Sequence, residues 1–168
     1  MHDSYAVRRF EPFDWPIYMA LRLRSLAESP DAFGSLLELE QQRSAQEWEA
    51  RLSAGAHSPT DLPLLAECNS TPSGLAWARI DSADPSHADL YQMWVAPEFR
   101  GRGLGAQLLQ SAITWARTQH VAGLRLGVTV GDTPAMRLYR AAGFRAHGAA
   151  QPLRAGSAVL AQPMYLRL

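Results

Sequence analysis

Apolar residues recur along this chain with two spacings, and each stretch of constant spacing marks an element. Tyr5–Phe10 reads as a first strand, and Trp15–Glu28 as a helix with Met19, Leu23 and Leu26 near one face. Ser29-Pro30-Asp31 breaks that helix, and a second is predicted over Leu36–Leu52, followed by a loop over His57–Asp61. Leu62–Cys68 and Gly74–Ile80 read as strands joined by the turn Asn69–Ser73, hence a hairpin. A turn over Asp81–His87 leads to a strand over Leu90–Val95. Pro97 ends it, because proline cannot donate to a ladder.

The clearest helix is Leu104–Gln119, with Leu104, Leu108, Ala112 and Trp115 at helical spacing. Leu124–Val130 alternates as a strand does. Thr133 then caps a short helix with Pro134 at its first position. Ala135, Leu138, Tyr139 and Ala142 fall at i, i+3, i+4 and i+7, and Gly143 closes the helix. Arg145–Leu168 reads as a final hairpin. Long helical crossovers favour parallel pairing and short turns antiparallel pairing. The element order predicts an α/β fold of mixed α+β kind with helices on both faces of a mixed sheet, as one domain over residues 1–168.

Composition narrows the function classes. The chain is 47% hydrophobic and 19% charged, as a folded globular protein should be. Sixteen basic and 16 acidic residues give a formal net charge of zero, which argues against a general nucleic-acid or membrane-surface binder. All the basic residues are arginine. Without lysine there is no Walker phosphate loop and no Schiff-base chemistry. Cys68 stands alone, so no internal disulfide forms. No apolar run reaches the ~18 residues of a membrane span, and a cytoplasmic protein is expected. His2, His57, His87, His120 and His147 lack metal-ligand spacing, so no metal is expected.

The chemistry concentrates in Val95-Ala-Pro-Glu-Phe-Arg-Gly-Arg-Gly-Leu-Gly105. A strand ends there and a glycine-rich loop opens into a helix. Helix N-termini carry unpaired N–H groups and partial positive charge, and glycines let the backbone approach a ligand. Arg100 and Arg102 add charge. The sum is a site for a pyrophosphate-like anion; the plainer alternative is a tight turn. Gly101-Arg-Gly-Leu-Gly-Ala106 also satisfies the dinucleotide fingerprint. Its acidic partner would be Asp132, farther along than the ~20 residues that motif expects.

Arg100-x-x-Gly103-x-Gly105 resembles the Q/R-x-x-G-x-G/A signature of the GNAT superfamily of N-acetyltransferases. Asp132-Thr-Pro-Ala-Met-Arg-Leu-Tyr-Arg-Ala-Ala-Gly-Phe144 is similar to its N-x-x-A-x-x-L-Y-x-x-x-G-F signature, with Asp132 where Asn is usual. Asn offers a donor and an acceptor, ionised Asp only acceptors; Asp132 also suits a helix cap. The strong similarity covers about Leu90–Phe144. It implies a GNAT-like fold, with a mostly antiparallel sheet of about six or seven strands.

The resemblance further implies transfer of an acetyl group from acetyl-CoA, as cosubstrate, to a primary amine by direct attack in a ternary complex. Backbone amides of Arg100, Gly101, Arg102, Gly103, Leu104 and Gly105 hold the CoA pyrophosphate, and Met93 and Val95 pair with its pantetheine arm. Asp132 and Ala135 join the cofactor contacts. An N–H near Val95 polarises the thioester carbonyl. Tyr139 protonates the leaving thiolate, where the plainer reading is a core aromatic.

The amine needs a base, for which Asp89 is first choice and Glu67 second; either also reads as a surface carboxylate. Cys68 reads as a buried thiol rather than an acyl carrier. The acceptor is a small molecule or a peptide amine. Glu38, Glu40, Glu47 and Glu49 offer either attraction for a cationic amine or a solvated helix face. A homodimer is left open. The alternatives are a non-catalytic acyl-CoA sensor and, behind it, a dinucleotide-binding protein.

Overall fold

In a computed structural model, residues 2–168 are described. The chain runs β1 (Tyr5–Arg9), α1 (Trp15–Glu28), α2 (Leu37–Glu40), α3 (Ala45–His57), β2 (Asp61–Cys68), β3 (Thr71–Ile80) and β4 (His87–Val95). It continues through α4 (Leu104–Thr118), β5 (Gly123–Thr129), α5 (Pro134–Ala141), β6 (Arg145–Ala146), β7 (Gln151–Pro152) and β8 (Leu160–Arg167).

The strands form one sheet in the order β1-β2-β3-β4-β5-β8-β6, with β7 also on β8. Short turns make neighbours antiparallel, and α4, carrying the chain across the sheet, makes β4 and β5 parallel. Among the described residues this is the one parallel pair, so the sheet is not the parallel sheet of a dinucleotide-binding fold.

Successive side chains of a strand leave opposite faces, and both faces here are covered. Leu62, Leu64, Ala66, Ala76 and Ala78 pack with Leu104, Leu108 and Ala112 of α4 and Met136 and Tyr139 of α5. Leu65, Leu75 and Trp77 pack with Tyr18, Leu21 and Leu26 of α1 and Trp48 and Leu52 of α3.

The structure corrects three expectations. The helix predicted over Leu36–Leu52 is two helices, because Ser44 takes an extended conformation (ψ 161°) and its hydroxyl accepts from the Glu47 N–H at 3.1 Å, starting α3 afresh. The last segment is not one hairpin: β6 and β7 each pair with β8. The buried stripe of α1 is Tyr18, Leu21, Arg22, Ser25 and Leu26, so it includes an arginine, while Met19 and Leu23 are only partly buried.

Candidate active site

β4 and β5 pair at only three positions, His87–Gly123, Ala88–Leu124 and Asp89–Arg125. Beyond them β4 stays with β3 as far as Val95 and β5 stays with β8 as far as Thr129, so the two strands part. A bulge accompanies the parting. The β3–β4 register shifts between Leu75 and Trp77, and Gln92 takes a positive φ of 58°. The Tyr18 hydroxyl, on α1, donates to the Gln92 side-chain oxygen at 2.8 Å and fixes the bulge. A cavity of about 480 Å³ lies at the parting, lined among others by Arg22, Phe33, Tyr91, Gln92, Met93 and Tyr139.

α5 brings Tyr139 there. Thr133 caps the helix by accepting from the Met136 N–H at 3.1 Å, and Pro134 fills the first position. Met136 and Tyr139 form its buried face, whereas Ala135 is exposed, which corrects the predicted stripe. The Tyr139 ring packs edge-on against Phe144, centroids 5.9 Å apart. Burial pushes the phenol well above its ordinary range. No described group hydrogen-bonds its hydroxyl.

The glycine-rich loop follows β4 directly. Gly101 and Gly103 adopt φ of 76° and 83°, and a Cβ on either would meet nothing within 4 Å. The glycines serve the backbone path and leave open space above it. The first helical bond of α4 runs from the Gln107 N–H to the Gly103 carbonyl at 3.0 Å, so the amides before Gln107 are not used by the helix. Gly105 is constrained differently: a Cβ there would touch Leu138 of α5 at 3.4 Å.

The arginines do not supply the free charge the sequence suggested. Arg100 pairs with Glu28 at 2.9 Å, and Arg102 pairs with Asp3 at 3.0 Å. What the loop itself offers an anion is its unused N–H groups and the α4 dipole.

The remaining candidates spread out. Asp89 lines a hollow of about 370 Å³ that shares Leu90, Tyr91, Gly127 and Ala161 with the main cavity. Arg125 grips its carboxylate at 2.9 and 3.1 Å. Glu67 lies near Arg8 at 3.5 Å, at the far end of β2. Cys68 is buried beside Arg102, 3.9 Å from its guanidinium, and lines neither hollow. Asp132 is exposed and held by Arg137 at 2.8 Å, while Thr133 does the capping. Glu40 is buried against Arg43 and Arg51 rather than solvated, and Glu38, Glu47 and Glu49 are exposed. Among the described residues no group of side chains is set to hold a metal, and no helix is long and apolar enough to cross a membrane. Sequence reasoning missed Arg22 and Gln92. Arg22 carried one signal, a charged residue in register with Tyr18, Leu21, Ser25 and Leu26.

The sequence model of the Acetyltransferase (GNAT) family matches residues 21–144. A mycothiol acetyltransferase of Thermobispora bispora is 30% identical over 147 residues, covering 84% of this chain and 47% of that protein. The chain thus spans about half the length of the curated relatives it matches. An acetyltransferase of the GNAT family from Streptococcus pneumoniae superposes with a TM-score of 0.82 at 26% identity, over 98% of this chain and 100% of that one. The PaiA N-acetyltransferase of Thermoplasma acidophilum, solved with coenzyme A, shares the fold at a TM-score of 0.77 and 18% identity, over 98% and 99% of the two chains.

Proposed function

The chain belongs to the GNAT acetyltransferase family, and from that premise we propose that it transfers an acetyl group from acetyl-CoA directly to a primary amine in a ternary complex. The observation that carries this reading is Tyr139, a buried residue whose hydroxyl has no hydrogen-bond partner among the described residues and which lines the cavity where β4 and β5 part. A phenol kept protonated at a cavity wall can donate to whatever leaves.

The amine nitrogen attacks the thioester carbonyl, the C–S bond breaks, and the thiolate takes the Tyr139 proton. The unused amides between Gly101 and Ala106 hold the CoA pyrophosphate. The free edge of β4, including Met93 and Val95, supplies backbone groups to the pantetheine arm and to the developing oxyanion. The proton of the attacking amine passes through water to Asp89, which Arg125 holds at the rim. Asp132 and Ala135, both exposed at the start of α5, complete the wall on the cofactor side.

Release of CoA thiol from acetyl-CoA with a pooled library of amines tests the reading. Amine-dependent release with intersecting initial-rate lines is expected. A ping-pong pattern, or activity lost in a folded Cys68→Ala protein, replaces direct transfer with an acyl-cysteine route. Acetyl-CoA binding without release under any amine leaves a sensor.

A further inference from the structure

Arg22 is the one fully buried arginine among the described residues, with 3% of its surface exposed. It occupies a position on α1 where the helical spacing demands an apolar side chain. A guanidinium carries five N–H donors and keeps its charge. Arg22 makes one long hydrogen bond, from Nη1 to the Ser25 hydroxyl at 3.5 Å. Its Nε is buried with no partner at all. The guanidinium lies over the Phe33 ring, 4.7 Å from the centroid, which supports the group without satisfying its donors.

The surrounding charge is unbalanced in the same sense. Glu40, whose charge is felt at Arg22, is already bound by Arg43 at 2.8 Å and by Arg51 at 3.2 Å. Three arginines therefore share one carboxylate. Arg154 reaches in from the segment between β7 and β8 and donates to the Phe33 carbonyl at 2.8 Å, bringing a further positive charge to that wall. A buried charge without a counterion is costly to fold around. Arg22 and Phe33 line the same cavity as Tyr139.

We propose that Arg22 binds a carboxylate of the acyl acceptor, so that the acceptor is a small amino acid rather than a simple alkylamine or a neutral amino sugar. This rests on the acetyl-transfer reading above. The planar carboxylate matches the parallel N–H donors of the guanidinium. The amine of the same molecule is then the group left to meet the thioester. Selectivity follows from the penalty of leaving Arg22 unpaired when a decarboxylated amine binds.

Matched pairs test this: an amino acid, and the amine that differs from it only by loss of the carboxylate. For at least one pair, wild-type kcat/KM should favour the acid by at least about 100-fold, as loss of one partner of a buried charge pair implies. In Arg22→Met that ratio should fall to within about threefold of one, and Arg22→Lys should restore part of it. Calorimetric acetyl-CoA affinity and melting temperature show whether each variant is folded and loaded. If Arg22→Met does not fold, the wild-type ratio decides. Equal use of acids and amines, an undiminished ratio in folded Arg22→Met, or acetyl-CoA binding with neither series turned over overturns the inference and leaves the cofactor site standing. A wild-type chain that binds no acetyl-CoA brings down the acetyl-transfer reading itself, and this inference with it.

Discussion

Arg100 grips the Glu28 carboxylate with both terminal nitrogens, at 3.2 and 2.9 Å, while its Nε donates to the Val95 carbonyl at 2.9 Å. The Trp94 indole N–H joins the same carboxylate at 2.9 Å. One guanidinium thus ties the end of α1 to the end of β4 and to the glycine-rich loop. The pair is part-exposed, so its contribution to global stability is small; its effect is on the position of the loop.

Glu28→Gln should therefore weaken acetyl-CoA binding by roughly three- to tenfold with little change in melting temperature, because a loosened loop must be ordered on binding. The pH dependence follows from the same contact. The Arg100 hydrogen bond foremost holds the Glu28 carboxyl down to about 2, below its ordinary 4.5, against the opposing effect of burial. A depressed carboxyl stabilises above its unfolded value and loses that contribution as pH falls through the folded one. Amide exchange of the loop should rise as pH drops from 4.5 towards 2, after correction for intrinsic rates, and Glu28→Gln should lack that step. Equal profiles in the two proteins would dissociate the pair from loop order.

Gly103 combines a φ of 83° with open space where a Cβ would sit. Gly103→Ala should cost about 1 kcal/mol in stability from the backbone alone. Gly103→Asp adds a negative charge in the space assigned to the pyrophosphate, and acetyl-CoA affinity should drop at least tenfold, about 1.4 kcal/mol. Calorimetric titration of the two variants separates strain from repulsion; unchanged affinity in folded Gly103→Asp removes the loop from the cofactor site.

Tyr139→Phe keeps the ring against Phe144 and removes only the hydroxyl. Turnover should fall by roughly 10²–10⁴, the usual worth of a placed acid, with acetyl-CoA affinity and melting temperature nearly unchanged. Because burial raises the phenol's pKa, it stays protonated through neutral and mildly alkaline pH, and its ionisation should not limit kcat there. A smaller loss is expected with a thioester of more acidic thiol, which needs less protonation. Full activity of the variant would return Tyr139 to packing alone.

Gly55 lies on α3 directly against the Trp77 indole, and a Cβ there would overlap the ring. Trp77 is anchored from β3 by its N–H to Asp61 at 2.8 Å, so it has little room to yield. Gly55→Ala should destabilise by about 1–3 kcal/mol through overpacking, despite the higher helix propensity of alanine. Chemical denaturation measures it; a stabilised variant would show that Trp77 moves freely.

The sequence made α4, α5 and the β2–β3 hairpin legible because their signals are local: Pro134 behind a Thr133 cap, glycines ahead of α4, a polar turn between strands. The break before α3 was hidden because Gln41, Gln42 and Arg43 are all good helix formers, and Ser44 declares itself only through its bond to Glu47. The parting of β4 from β5 rests on a bulge at Gln92, a residue type that does not announce a positive φ. Arg100 reads as a phosphate ligand until Glu28, 72 residues earlier, is seen to hold it. Arg22 is hard to read because its residue type is mostly exposed, and only packing reveals its burial. The bulge and the setting of Arg100 depend on contacts distant in sequence, Tyr18 with Gln92 and Glu28 with Arg100, which local patterning does not carry.

Only three residue pairs stitch the β1–β4 half of the sheet to the half built on β5 and β8. The sheet is thus two leaves sewn along a short seam, and beyond it the leaves are joined by side chains and the helices laid across them. A molecule that lies along the free edge of β4 adds rungs the polypeptide does not provide for itself. It acts as a splint as well as a substrate. The stiffness of the two leaves then registers occupancy of that edge, and slowed amide exchange in both strands on saturation would report it without any chemistry taking place.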